Sequence, residues 1–233
     1  NVPLMMQYKQ PKFRVMGDRS LLVELGDDIS REVNRRVRML YYSLIDRKLG
    51  GVVELIPSYA TLLIVFDPLK ISLAALKAGT LRLMETADSS RIPEPKTVRI
   101  PVVYGGEFGP DLPWLAEIHH MTPDDVIRYH SATTYHVYMI GFTPGYPYMG
   151  EVPVEIATPR RDTPRTRVPQ GSVGIAQRQT GIYPVASPGG WQIIGRTPVR
   201  LFDPAAWPPT PLEIGDAVNF YPIEMEAYNN WQP

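Results

Sequence analysis

The sequence predicts an α+β N-terminal domain followed by a mainly β domain folded as a barrel or sandwich. Three observations carry this. Proline is unevenly spread: of 25 in 233 residues, four lie in 1–92 and thirteen in 141–211. The first part carries helix-period and strand-period hydrophobic segments in turn. The last part reads as short strands at close spacing, divided by Pro/Gly turns. The domains are therefore placed at 1–92 and 93–233, with "DSSRIPEPK" (88–96) as the linker.

In the first domain, "FRVMG" and "SLLVELG" are two strands joined at Gly17-Asp18-Arg19. Asp28 is positioned to cap a helix from Ile29, whose stripe is Ile29, Val33, Val37, Leu40 and Leu44, ended by Gly50-Gly51. "VVELI" and "TLLIVFD" are the next strands. A second helix carries Leu73, Leu76, Leu83 and Met84. The pattern is ββαββα, a two-layer unit.

The second domain opens on the strand "TVRIPVVY". Asp111 and Pro113 start one short helix. Thr122-Pro123-Asp124-Asp125 starts another, with a hydroxyl cap, proline in the first turn and acids at the positive helix end. The strands expected next are "TTYHVYMIGF", "VEIAT", "GSVGIAQ", "TGIYPVA", "WQIIGRT", "VRLFD" and "DAVNFYPI".

Composition excludes several classes. Acids and bases number 24 each, so no net field draws nucleic acid or an anionic membrane. No run of apolar residues is long enough for a membrane helix. "NVPLMMQYKQPKFRV" lacks the apolar core of a signal peptide. The absence of cysteine removes disulfides, thiolate metal sites and cysteine nucleophiles, and fits a cytoplasmic location. There is no phosphate loop and no H-E-x-x-H. No metal site is evident among the four histidines.

The chemistry concentrates in three segments. "GFTPGYPYMG" (141–150) mixes turn residues with aromatics, and Phe142 and Tyr148 are candidates for the wall of a site. "PRRDTPRTRVP" (159–169) holds Arg160, Arg161, Arg165 and Arg167 against one acid, Asp162, on a proline-stiffened segment. Arginine forks suit carboxylate or phosphate; the alternative is a solvated loop of internal ion pairs. "TGIYPVASPGGWQIIGRTP" (180–198) offers the Tyr183 and Ser187 hydroxyls, backbone N–H groups at Gly189-Gly190, and the flat wall of Trp191. "QGSVG" is one glycine short of a nucleophile elbow, so Ser172 is only a binding candidate. On a strand, His136 shares a face with Tyr138. It is the one histidine candidate for catalysis, a packed barrel histidine being the alternative.

These segments, followed by "LFDP", resemble the KipI / allophanate-hydrolase-subunit-1 family, densely over 130–220 and more loosely through "GDRSLLVELGDDIS" and "GVVELIPSYATLLIVFDP". Gln170 departs from the small residue expected before Gly-Ser. The resemblance implies a cyclophilin-like barrel behind a small α+β domain. It also implies the B-subunit role in a 5-oxoprolinase, opening 5-oxoproline to glutamate with ATP. The implied partners are a KipA-type subunit and a LamB/YcsF-type subunit, with a small carboxylate as substrate. ATP would act in the assembled complex through activation of the lactam carbonyl, and the isolated chain would be inactive. Two alternatives stay open. One is an inhibitor of a sensor histidine kinase, with the arginines as interface anchors. The other is a carboxyltransferase-like module as in urea carboxylase.

Overall fold

The computed structural model describes residues 7–86 and 92–232, so part of the expected linker, residues 88–91, lies outside the described residues. Two compact units divide between Glu94 and Pro95.

The first unit runs β1 (Gln7–Val15), β2 (Ser20–Gly26), α1 (Arg31–Arg47), β3 (Val52–Pro57), β4 (Thr61–Phe66) and α2 (Leu73–Glu85). The sheet order is β1-β2-β4-β3, with antiparallel neighbours. Strand alternation places Leu21, Val23 and Leu25 of β2 with Leu62, Ile64 and Phe66 of β4. They meet Val33, Val37, Leu40 and Leu44 of α1 and Leu76 of α2 in one core. The cap of α1 differs from the sequence expectation. The Asp28 carboxylate accepts from the Ile29 N–H, while Ser30, two residues later, accepts from Val33 N–H and starts the helix. The helix also stops before the glycine pair, at Lys48, which takes the left-handed conformation.

The second unit contains β5 (Thr97–Tyr104), α3 (Leu112–Ile118), α4 (Pro123–Ala132), β6 (Thr134–Ile140), β7 (Pro147–Gly150), β8 (Arg165–Val168), β9 (Ser172–Ala176), β10 (Gln179–Ile182), β11 (Ser187–Gly189), β12 (Gln192–Arg196), β13 (Ala217–Pro222) and α5 (Met225–Asn229). Seven strands close a barrel in the order β10-β7-β6-β13-β5-β12-β9, and β8 pairs with β11 as a separate ribbon. Only β5 and β13 run parallel within the barrel. The Thr122–Asp125 capping box starts α4 as its sequence predicts.

Two expected strands are absent. "VEIAT" forms a single 3-10 turn over Val154–Ile156, closed by the Ile156 N–H on the Pro153 carbonyl. Only Thr158 makes an isolated bridge, to Gln177. "VRLFD" is irregular. Leu201 is buried in the barrel core, while the Arg200 side chain bonds the Phe202 carbonyl and pairs with Asp203, which curls the segment. The strand in "TGIYPVA" ends at Ile182, two residues before Pro184, which has no N–H to donate.

His130 ties α4 to the barrel. It is fully buried, with Nδ1 2.8 Å from the Tyr104 hydroxyl and Nε2 3.0 Å from Thr180 Oγ1. Thr180 spends its own proton on the Gly174 carbonyl. The imidazole therefore donates from Nε2 and accepts at Nδ1, as a neutral ring. Burial pulls its pKa down to about 3. The unfolded chain takes up this proton near pH 6.5 and the native state does not. Stability should therefore fall as pH drops from about 6.5 toward 3, by up to about 1.4 kcal/mol per pH unit. Urea unfolding at pH 7, 5.5 and 4.5 should show this slope, and His130→Gln should flatten it. An unchanged slope in the variant would assign the effect to other groups.

Candidate functional site

The corner between β6 and β7 is built by the stretch that mixes glycine and aromatics. The Gly141 N–H donates to the Tyr146 carbonyl (3.0 Å), and the Tyr146 N–H to the Thr143 carbonyl (3.1 Å). Gly145 has φ +78°, and a Cβ there would lie 2.8 Å from the Leu201 carbonyl oxygen. Only glycine fits this approach. Phe142 takes φ +69° and stands 63% exposed. Behind the corner, Tyr146 turns inward and Tyr148 continues into β7.

The arginine segment is fastened to the PGGW segment. The β8–β11 ribbon sets Ser187 opposite Val168 and Gly189 opposite Arg165. The Arg161 N–H donates to the Gly190 carbonyl (2.8 Å), and Gln192 Nε2 to the Pro159 carbonyl (3.0 Å). Together the three segments enclose a cavity of about 310 Å³. Phe142, Tyr148, Arg160, Tyr183, Gly189, Gly190 and Trp191 line it, joined by Tyr146, Pro164 and Pro188.

The lining is an aromatic box with one charge at its edge. Trp191 is 5% exposed, with ring centroids 5.8 Å from Tyr146 and 5.9 Å from Tyr148. Tyr146 meets Tyr183 edge-on at 5.2 Å. The Arg160 guanidinium lies 6.0 Å from the Trp191 ring and is exposed. Gly189 lets the Tyr183 hydroxyl rest against its backbone, where a Cβ would overlap it. Burial raises the pKa of Tyr148 and of Tyr183. The Arg160 charge opposes this at both. At Tyr183, the nearby Trp191 backbone N–H and Tyr146 hydroxyl also oppose it. Both phenols are therefore protonated donors at neutral pH.

Two of the four arginines serve structure instead. Asp111, expected to cap α3, makes no side-chain cap bond. Its carboxylate, 5% exposed, takes Arg161 Nη1 at 3.0 Å and Arg165 Nη2 at 2.7 Å, and accepts the Ile193 N–H at 2.6 Å. The expectation that Arg161 and Arg165 are available to an external anion is corrected accordingly. Arg167 is exposed on β8 and does not line the cavity. Ser172 is fully buried in β9, which removes it from the binding candidates. Ser187 sits on the ribbon with a buried Oγ, outside the cavity lining. His136 lies on β6 with its ring 4.7 Å from that of Tyr138, likewise outside the lining. Among the described residues, no three His, Cys, Asp or Glu side chains gather as metal ligands, and no helix is long and apolar enough to cross a membrane.

Sequence reasoning missed Tyr146, Pro164, Pro188 and Asp111. The first three stand inside segments already singled out. Asp111 lies far from them in sequence, and its helix-start context supplied a competing reading.

A closed barrel with an attached ribbon and an aromatic cavity belongs to a definable class. The family model for the carboxyltransferase domain, subdomains C and D, matches residues 11–212, and the chain belongs to this family. The B-subunit of 5-oxoprolinase from Bacillus subtilis (strain 168) is 40% identical over 228 residues, 93% of this chain and 95% of that protein. The crystal structure of TTHA0988 matches with a TM-score of 0.79 at 36% identity, covering 88% of this chain; the chain spans 40% of TTHA0988. The Kluyveromyces lactis urea carboxylase matches with a TM-score of 0.75 over 94% of this chain and 22% of that one. At 23% identity, this is a likeness of fold. The resemblance read from the sequence agrees with these matches.

Replacing Asp111 by alanine strands two arginines and a backbone N–H. The arginine side chains are 36% and 25% exposed, so solvent recovers part of the loss. Asp111→Ala should cost about 3 kcal/mol, the low end for breaking a buried pair. Chemical denaturation followed by tryptophan fluorescence measures it. A cost under about 0.5 kcal/mol, the range of ordinary surface changes, would deny the clamp.

Proposed function

We propose that this chain is a subunit of an ATP-dependent 5-oxoprolinase and that its aromatic cavity holds 5-oxoproline. The observation that carries this reading is the pairing of a small aromatic box with one guanidinium that has no carboxylate partner among the described residues. A cavity of about 310 Å³ is at the small end of ligand sites, which run from about 300 to 1,000 Å³. The flat ring of a lactam suits the faces of Trp191 and Tyr148, and Arg160 suits its carboxylate. Near-full-length similarity to the B-subunit of a 5-oxoprolinase supports the same assignment.

The cavity does not fit a nucleoside triphosphate. It offers one uncommitted arginine, and the sequence has no phosphate loop. We therefore assign ATP to the KipA-type and LamB/YcsF-type subunits, with this chain binding and orienting the acid. Purified alone, it should neither hydrolyse ATP nor consume 5-oxoproline. The kinase-inhibitor alternative would use the arginine cluster as outward anchors. The inward pairing of Arg161 and Arg165 on Asp111 favours the small-acid reading.

The test is coexpression with the genomic neighbours and an assay of 5-oxoproline-dependent ADP release. Activity should require all three proteins; activity of this chain by itself would contradict the shared site. In the complex, Arg160→Ala removes a charged hydrogen bond of about 1.5–3 kcal/mol, so KM for 5-oxoproline should rise roughly 10- to 100-fold. Arg160→Lys should restore little if the contact is a two-pronged fork. A KM unchanged in both variants would detach Arg160 from the carboxylate.

A further inference from the structure

Strand β1 leaves its partner near its start. Gln7 pairs with Gly26 and Lys12 with Glu24, so residues 8–11 of β1 face the single Leu25 of β2. A bulge of this kind bends the strand out of the sheet. Pro11, which has no N–H to give a ladder, sits inside it. Arg36 of α1 bridges the opening. Its Nη1 donates to the Tyr8 carbonyl (2.9 Å) on one strand and to the Leu25 carbonyl (3.3 Å) on the other. Nε and Nη2 of the same guanidinium make no hydrogen bond among the described residues.

Beside the bulge lies a cavity of about 510 Å³, formed wholly by the first unit. Helix α1 lines it with Arg36, Met39 and Leu40, and α2 with Leu81, Met84 and Glu85. Both sets have i, i+3, i+4 spacing, so each lies on one helix face. Lys9 of the bulge supplies a second cation. No ion pair joins Arg36, Lys9 and Glu85 among the described residues. The lining therefore combines four apolar side chains with a surplus of one positive charge. Leu81 remains 40% exposed, so this apolar surface is not consumed by the core.

We propose that this cavity is a second ligand site, for a soluble acid with an unbranched apolar chain, its carboxylate on Arg36 and Lys9 and its chain against Met39, Leu40, Leu81 and Met84. The site stands apart from the 5-oxoproline reading, whose cavity belongs to the other unit. The volume falls within the range of small-molecule sites. A guanidinium already held by two carbonyls loses little freedom on meeting a carboxylate. Methionine adapts its shape to a flexible chain. The charge surplus selects an anion, and the apolar wall selects one with a tail.

Isothermal titration of the full chain with decanoate tests the assignment, together with NMR of the methionine methyls. Binding should be one-to-one with Kd below about 1 mM, the scale that ordinary efficiency per heavy atom gives a ligand of this size. The Met39 and Met84 methyl resonances should move. Acetate, a head without a tail, and decylamine, the tail with the opposite charge, should not saturate at the same concentrations. Lys9→Glu should weaken binding about 3- to 10-fold, and Leu81→Glu more than about tenfold. Glu85→Gln should tighten it about twofold; a gain cannot come from a damaged fold. Arg160→Ala should leave decanoate binding unchanged. The proposal is overturned if decanoate does not saturate, if decylamine binds equally well, or if Arg160→Ala abolishes binding, which would place decanoate in the aromatic cavity. Flotation with phosphatidylglycerol vesicles in the absence of free decanoate binding would also overturn it, in favour of a membrane surface.

Discussion

One buried carboxylate organises the candidate site. Asp111 sits at the start of α3, where its backbone N–H already bonds the Ile193 carbonyl of β12. Its side chain then returns to the Ile193 N–H and collects Arg161 and Arg165. Three donors satisfy a charge that would be costly to bury alone. This single residue fixes the arginine segment to the barrel wall. The β8–β11 ribbon and the Arg161–Gly190 backbone bond complete the attachment. Arg160, next in sequence to a clamped neighbour, is left to face the aromatic cavity.

The chemistry of the cavity follows from packing on that frame. Close approach at Gly189 admits the Tyr183 hydroxyl, and the Tyr146 hydroxyl lies over Gly181 in a comparable way. The box thus combines apolar faces with phenols packed closely against backbone. Such a lining suits binding and orienting a ligand. The box has no cysteine and no metal cluster among its described residues, and its lining contains no histidine. That lining suits the small-acid binding proposed for it. The other buried polar strut, His130, belongs to stability, and its neutral tautomer is dictated by Tyr104 and Thr180.

Much of this was legible in the residues. The ββαββα order, the Thr122 capping box and most barrel strands follow from local periodicity and turn chemistry, which the structure retains. The convergence of Phe142, Tyr148, Arg160 and Trp191 was readable as shared chemistry in three segments, although not as distance. The failures are of two kinds. Local signals competed at Asp28 and Ser30, where either side chain can cap, and at "VRLFD", where an Arg200–Asp203 pair curls a strand-like run. Long-range pairings were invisible. Nothing near Arg165 in sequence reveals that Asp111, 54 residues earlier, neutralises it. Ser172 was a candidate because "QGSVG" approaches a nucleophile elbow, yet β9 is buried along its full length.

The most direct test is a crystal structure of the assembled complex with 5-oxoproline bound. The account predicts the ring against Trp191, the carboxylate within hydrogen-bond distance of the Arg160 guanidinium, and Arg161 and Arg165 still on Asp111. Density for the acid in another cavity of this chain, such as that lined by Gln170, Thr197 and Phe202, or wholly within a partner protein of the complex, would contradict it.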